Sequence, residues 1–349
     1  MRVLRRAAVA GLRSRWLRPL SRSLERAYGG LATSLMYHSV RDRGAQVPAG
    51  FEPNQPLAVD AEAFDAQMAW LAARHRVVPL PQAVRELVDG SLPRGTVTVT
   101  FDDGYRDNLQ VALPILERHG IPATIHVTTG LVDRTAVLWW EELEAIVRAA
   151  PRLRFHDGRR ARLLELANRG AREAAFAELA ALFKPAPPER QRALMQELRA
   201  QAPVAFSYDA EVLSWDEVRA LDRHPLVTIA AHSVNHPVLR SLEPGAVQAE
   251  LRESRQRLEQ ELGHPVPYFA YPYGGDDEAG SREFQICRAL GFAFALTSRS
   301  GHWHPRHRDH LHALPRIMIE AGDDLDAFRF KLSGLDAFLR SRGRRFVTA

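Results

Sequence analysis

The stretch Thr98-Val99-Thr100-Phe101-Asp102-Asp103-Gly104-Tyr105 sets two adjacent carboxylates at the end of an alternating apolar run, and this combination restricts the fold more than any other feature of the chain. Val97, Val99 and Phe101 lie two apart, the period of a half-buried strand, and Gly104 permits a sharp turn. Leu109, Leu113 and Leu116 then recur at helical spacing, which predicts a helix over residues 105–119. A strand that passes through an acidic turn into a helix is the repeating unit of α/β folds, whose chemistry collects beyond the carboxyl ends of the strands. Asp102 and Asp103 occupy that position.

Two bare carboxylates side by side in a buried mouth repel each other, so such a pair calls for a cation. His232-Ser233-Val234-Asn235-His236 follows a second apolar run, residues 226–231. Histidines four apart share one side of a helical turn or tight loop, where each can offer a ring nitrogen to the same metal. Asp103, His232 and His236 therefore form a candidate carboxylate and two-histidine set with positions left for water. Taken singly, Asp-Asp-Gly is a common solvated turn, and an isolated histidine pair binds no metal in most proteins. Their occurrence together after successive strands carries the reading.

These two segments resemble the first two motifs of the polysaccharide deacetylases, also known as NodB-homology or carbohydrate esterase family 4 enzymes. Phe269-Ala270-Tyr271-Pro272-Tyr273-Gly274 resembles that family's Arg-x-Pro-Tyr-Gly groove segment, with Ala270 where many members carry an arginine that orients the catalytic base. Leu35-Met36-Tyr37-His38-Ser39-Val40, with the late Leu314-Pro315-Arg316-Ile317, resembles a permuted subgroup that takes its general-acid histidine from the first strand. The resemblance spans roughly residues 31–132 and 214–335.

The resemblance implies an α/β fold, a distorted (β/α) barrel. It also implies a metal-dependent hydrolase that removes the N-acetyl group from an amino sugar in a polysaccharide or lipid-linked glycan during cell-surface polysaccharide assembly. In that scheme Asp102 is the base, His38 the acid with His312 as fallback, and the backbone N–H of Tyr273 an oxyanion donor. Asp103, His232 and His236 hold one divalent ion, zinc being the first expectation. Two other readings stand beside it: an O-acetyl carbohydrate esterase using the same site, and a catalytically idle carbohydrate-binding protein, which Ala270 keeps open.

The charge of the chain is uneven. Residues 1–26 carry eight arginines against Glu25, a local balance of +7 in a chain of net +5. The remainder is near −2, which removes the case for a nucleic-acid surface on the body. Leu12, Trp16, Leu20 and Leu24 recur every four residues among the arginines, so residues 1–30 read as a basic amphipathic leader whose first 28 residues can contact an anionic leaflet. A disordered leader and a mitochondrial-type presequence share this composition. No apolar run in the leader suits a bilayer span or a secretory core, so the expected location is cytoplasmic, peripheral at the inner membrane surface.

Residues 31–345 are expected to form the barrel and 346–349 a tail. Residues 133–213 read as helices without a strand, a helical insertion in which Trp139 and Trp140 pack in the core or stack on a sugar. Cys287 is the single cysteine, so no intrachain disulfide is possible, and a buried thiol is expected. His126 reads as structural. Residues 302–312 hold five histidines, but Arg306 and Arg308 oppose a cation there, and a solvated or substrate-facing loop is expected. The sequence leaves the oligomeric state open.

Overall fold

Short runs rich in β-branched, aromatic and alanine residues form the strands of the main sheet: β1 (Ala32–Tyr37), then β4 (Arg76–Val77), β5 (Thr96–Phe101), β6 (Ala123–Val127), β9 (Val227–Ala231), β10 (Tyr268–Ala270), β11 (Phe294–Ser300) and β12 (Leu314–Met318). Between them in the chain lie two small pairs, β2 (Ser39–Arg41) with β3 (Ala58–Asp60), and β7 (Arg152–His156) with β8 (Ala161–Glu165). This computed structural model describes residues 28–42, 50–158, 160–202, 204 and 206–336. The basic leader expected over residues 1–30 lies almost wholly outside the described residues, as does the tail.

Seven parallel strands close on themselves in the order β1, β12, β11, β10, β9, β6, β5 and back to β1. The fold is thus a (β/α) barrel, as the sequence led us to expect. β4 pairs with the first residues of β5, and β6 takes the same edge further along. Every residue of β1 and β5 is buried, because helices cover one face of the sheet and the barrel interior fills the other. The register opposes Tyr37 to Phe101, Phe101 to Ile125 and Val127 to Ala231. His38, Asp102 and His232, each following one of these strands, therefore emerge together at the carboxyl end of the barrel.

The connecting helices start and stop where the sequence signals them. Asp60 caps Ala61–Arg74 by accepting from the N–H groups of Glu62 and Ala63. Ser214 and Glu217 form a capping box on Trp215–Asp222. Gly263, at φ 76, ends Pro244–Leu262 in the left-handed region that glycine tolerates. The helix predicted over 105–119 is instead divided, with a wide π turn at Asn108–Ala112 before Leu113–His119. Pro114 is the physical reason, since its ring nitrogen cannot donate to the preceding turn.

Residues 133–213 depart from the all-helical expectation. Helices Trp139–Ala149, Arg169–Phe183 and Pro188–Arg199 are present, but β7 and β8 form an antiparallel hairpin among them. Leu153 and Phe155 are buried while Arg152, Arg154 and His156 face solvent. That period of two covers only five residues, too few to stand out among the arginines. One continuous apolar core runs from the barrel into this segment, and the rings of Trp139 and Phe183 stack at 5.5 Å.

The histidine-rich segment 302–312 also differs from expectation. Trp303 is fully buried, donates its Nε1 to the Pro315 carbonyl, and pairs in backbone with Leu31 and Ala32 at the amino end of β1. His302 and His307 are buried with it. The segment is therefore neither solvated throughout nor substrate-facing, because the burial of Trp303 draws it to the end of the barrel opposite the acidic pair. Cys287 is buried as expected, and burial pushes its thiol up to about 12. Among the described residues no helix is long and apolar enough to cross a membrane.

Candidate active site

Asp103 leaves β5 at φ 73, and its Oδ1 lies 3.1 Å from His236 Nε2 and 3.4 Å from His232 Nε2. All three residues are buried, and one ligand atom from each falls within 4.8 Å of the others. His232 Nδ1 is 2.7 Å from the Ala270 carbonyl. A carbonyl only accepts, so Nδ1 carries a proton and Nε2 is aimed at Asp103. Asp103 Oδ1 and His236 Nδ1 are buried without a hydrogen-bond partner. A buried, unpaired carboxylate oxygen faced by two imidazole nitrogens fits a divalent transition metal, since without a cation or proton between them their lone pairs oppose one another.

The electrostatics agree with that fit. Burial opposes ionisation of Asp103, but His236 and His232 outweigh it and hold the carboxyl far below the usual range. Burial likewise opposes charge on His232, yet Asp102 and Asp103 raise its pKa. The position that a proton takes between these groups is the one a cation would take.

The loop that carries both histidines is held from outside the barrel. Glu250, on Pro244–Leu262, accepts from the N–H groups of Val234 and Asn235 at 2.9 Å each and from Asn235 Nδ2 at 2.7 Å. Gly130 backs the same loop, and a Cβ there would stand 2.5 Å from the Val234 carbonyl oxygen. Among the described residues, five non-glycines have positive φ, and Asp103, Ser233, His236 and Tyr273 are four of them. Backbone strain of this kind persists only where surrounding contacts enforce it, and here it collects at one site.

Asp102 is gripped rather than loose. Arg316, from β12, donates Nη1 to Oδ1 at 2.7 Å and Nη2 to Oδ2 at 2.6 Å. The arginine is itself fully buried, donating Nε to the Thr297 carbonyl at 3.0 Å and Nη1 to Thr100 Oγ1 at 3.1 Å. Burial would raise the pKa of Asp102, but Arg316, His232 and His126 outweigh it and keep the carboxyl well below its ordinary range. Asp102 is thus held by an arginine from another strand of the barrel, while Ala270 contributes its carbonyl to His232. The signal in the sequence was an arginine inside an otherwise apolar strand.

His126, expected to be structural, touches the site. Its Nδ1 lies 3.0 Å from Asp102 Oδ1 and 3.2 Å from the Phe101 carbonyl, both acceptors, so that nitrogen is protonated.

His38, Asp102, Asp103, His232, His236 and Tyr273 line one cavity of about 390 Å³. Burial lowers the pKa of His38 against the pull of Asp103 and Asp102. His312 lies elsewhere, its Nε2 held 2.8 Å from the Phe292 carbonyl. Trp139 and Trp140 are nearly buried yet form part of the cavity wall. Trp139 Nε1 donates to the Tyr273 hydroxyl at 3.0 Å, and Trp140 Nε1 to the Tyr105 hydroxyl at 2.7 Å.

The sequence model of the polysaccharide deacetylase family matches residues 89–172 and 189–295, leaving 173–188 between the two segments. The putative polysaccharide deacetylase YxkH of Bacillus subtilis (strain 168) is 27% identical over 124 residues, 35% of this chain and 40% of that protein. The poly-beta-1,6-N-acetyl-D-glucosamine N-deacetylase of Staphylococcus epidermidis is 26% identical over 110 residues, 30% of this chain and 38% of that protein. The matches thus span less than half the length of these curated relatives. Among solved structures, the Streptococcus pyogenes deacetylase PplD in complex with acetate superposes with a TM-score of 0.57 at 19% identity, covering 86% of this chain and 97% of that one. That likeness is one of fold.

Proposed function

We propose a reaction for this chain, which belongs to the polysaccharide deacetylase family: hydrolysis of the N-acetyl group of an amino sugar within a glycan, releasing acetate and a free amine. The observation that carries the proposal is the joint placement of Asp103, His232 and His236 beside an arginine-held Asp102 in one cavity.

Asp103, His232 and His236 would hold a divalent ion, zinc first by the nitrogen-rich donor set. Such an ion, when bound, supplies a Lewis acid for the acetyl oxygen and lowers the pKa of a water toward neutrality. Asp102, ionised and fixed by Arg316, accepts the proton of the attacking water. The backbone N–H of Tyr273, a residue that lines the same cavity, is assigned to the charge that develops on the acetyl oxygen. The departing amine needs a proton before it leaves, and His38, which lines the same cavity, is the imidazole assigned to deliver it. Burial lowers the pKa of His38, which makes its protonated form a stronger acid toward the departing amine.

The test is acetate release from N-acetylated oligosaccharides by the purified full chain, with and without a chelator, alongside metal content. Asp102→Asn should keep metal and lose most turnover, whereas His236→Ala should lose both. Equal metal content in wild type and His236→Ala would overturn the ligand assignment.

A further inference from the structure

Phe176 and Lys184 belong to residues 173–188, between the two segments that match the family, yet both line the cavity that holds Asp102, Asp103, His232 and His236. Lys184 follows the helix Arg169–Phe183, and its Nζ lies 2.6 Å from Glu278 Oε1 and 5.0 Å from the centre of the Tyr273 ring. Glu278 comes from the loop after β10, and its carboxylate lies close over Gly275, Oε2 being 2.3 Å from where a Cβ there would stand. The chain therefore lines the cavity from two places: an aromatic ring and a cation from the insertion, and a carboxylate from the barrel loop.

The stability of the fold does not account for this pair. The Lys184 side chain is 42% exposed, and ion pairs so open to water contribute little to folding. Both partners keep hydrogen-bonding capacity, because an ammonium has three donors and a carboxylate two acceptor oxygens. Donor and acceptor side by side beside the Tyr273 ring, in a cavity that Phe176 also lines, match a pyranose ring, which has an apolar C–H face and a rim of hydroxyls. Their charges cancel, so an anionic sugar would meet a cation already neutralised and a carboxylate that opposes it.

We propose that Phe176, Lys184 and Glu278 form a sugar-recognition wall, built in part from residues outside the family match, which takes an uncharged N-acetylhexosamine unit. Phe176 packs on the ring, Lys184 donates to a hydroxyl and Glu278 accepts from one. The proposal rests on the deacetylase reading and specifies its substrate.

Two readouts test it on the metal-loaded full chain: the Kd for a tetramer of β-linked N-acetylglucosamine, from the fluorescence of the cavity tryptophans, and hydrolysis of 4-nitrophenyl acetate, too small to need the wall. Lys184→Met and Phe176→Ala should each weaken tetramer binding about tenfold or more while ester hydrolysis stays within about twofold. Lys184→Arg should recover part of the binding. Unchanged tetramer affinity in both variants, an equal loss on the ester, or equally tight binding of a uronic-acid tetramer would overturn the wall. If the wild type binds the tetramer but releases no acetate, the deacetylase reading fails, and weakened binding in the variants still supports the wall.

Discussion

Arg316 and Asp102 stand 214 residues apart in the chain and are joined by two parallel hydrogen bonds, Nη1 to Oδ1 at 2.7 Å and Nη2 to Oδ2 at 2.6 Å. The fork fixes the plane of the carboxylate as well as its charge, which a point cation cannot do. Arg316→Lys is therefore expected to lower acetate release about 10–100-fold with metal content unchanged. Arg316→Met should in addition lower the thermal midpoint, since an unpaired buried carboxylate costs about 3–5 kcal/mol. Full turnover in Arg316→Lys, measured beside metal content, would show that orientation of Asp102 does not matter.

The acid role divides His38 from His312. His38 lies in the cavity and His312 is held by the Phe292 carbonyl. His38→Ala should reduce turnover of an N-acetyl substrate about 10²–10⁴-fold, and of an activated acetate ester far less, because a phenolate leaves without a proton. His312→Ala should behave as wild type on both. The reverse pattern in paired amide and ester assays would move the role to His312.

Glu250 holds the loop between the two histidine ligands by two backbone N–H groups and the Asn235 amide. Its loss leaves both imidazoles on a looser support. Glu250→Ala should weaken metal binding about 10–100-fold, read by titration with a competing chelator, and excess metal should restore acetate release. Metal affinity equal to wild type would remove Glu250 from the site.

Beside the site, Arg41 Nη2 lies 3.3 Å from Glu141 and 3.1 Å from Glu211, and Ser39 donates to Asp107. Burial pushes Glu141 up to about 7 and Asp107 up to about 6. Between the ordinary glutamate value of 4.5 and about 7, the folded chain holds a proton on Glu141 that the unfolded chain has released. This contribution to stability is complete below that window and is lost as pH rises through it. Glu141→Gln removes the effect, so its thermal midpoint relative to wild type should be higher at about pH 8 than at about pH 5. A difference that does not vary with pH would mean that Glu141 ionises normally in the fold.

Much of this protein was legible in the sequence, because its signals are local. A period-two run ended at Phe101 and an apolar run at Ala231, caps stood at Asp60 and Ser214, and the polar residues just past the strand ends, Asp102, Asp103, His232 and His236, proved to meet in one cavity. A residue that follows a parallel strand has its position set by that strand, so motif and geometry coincide. The partners of those residues were not legible. Arg316 reaches Asp102, and His126 touches it, only because the barrel closes on itself and turns interior side chains from separate strands toward one axis. The same long-range packing drew Trp303 and its histidines to the opposite end and placed Lys184 against Glu278. Contacts of that kind depend on closure and on burial shared among distant segments, which no local period records.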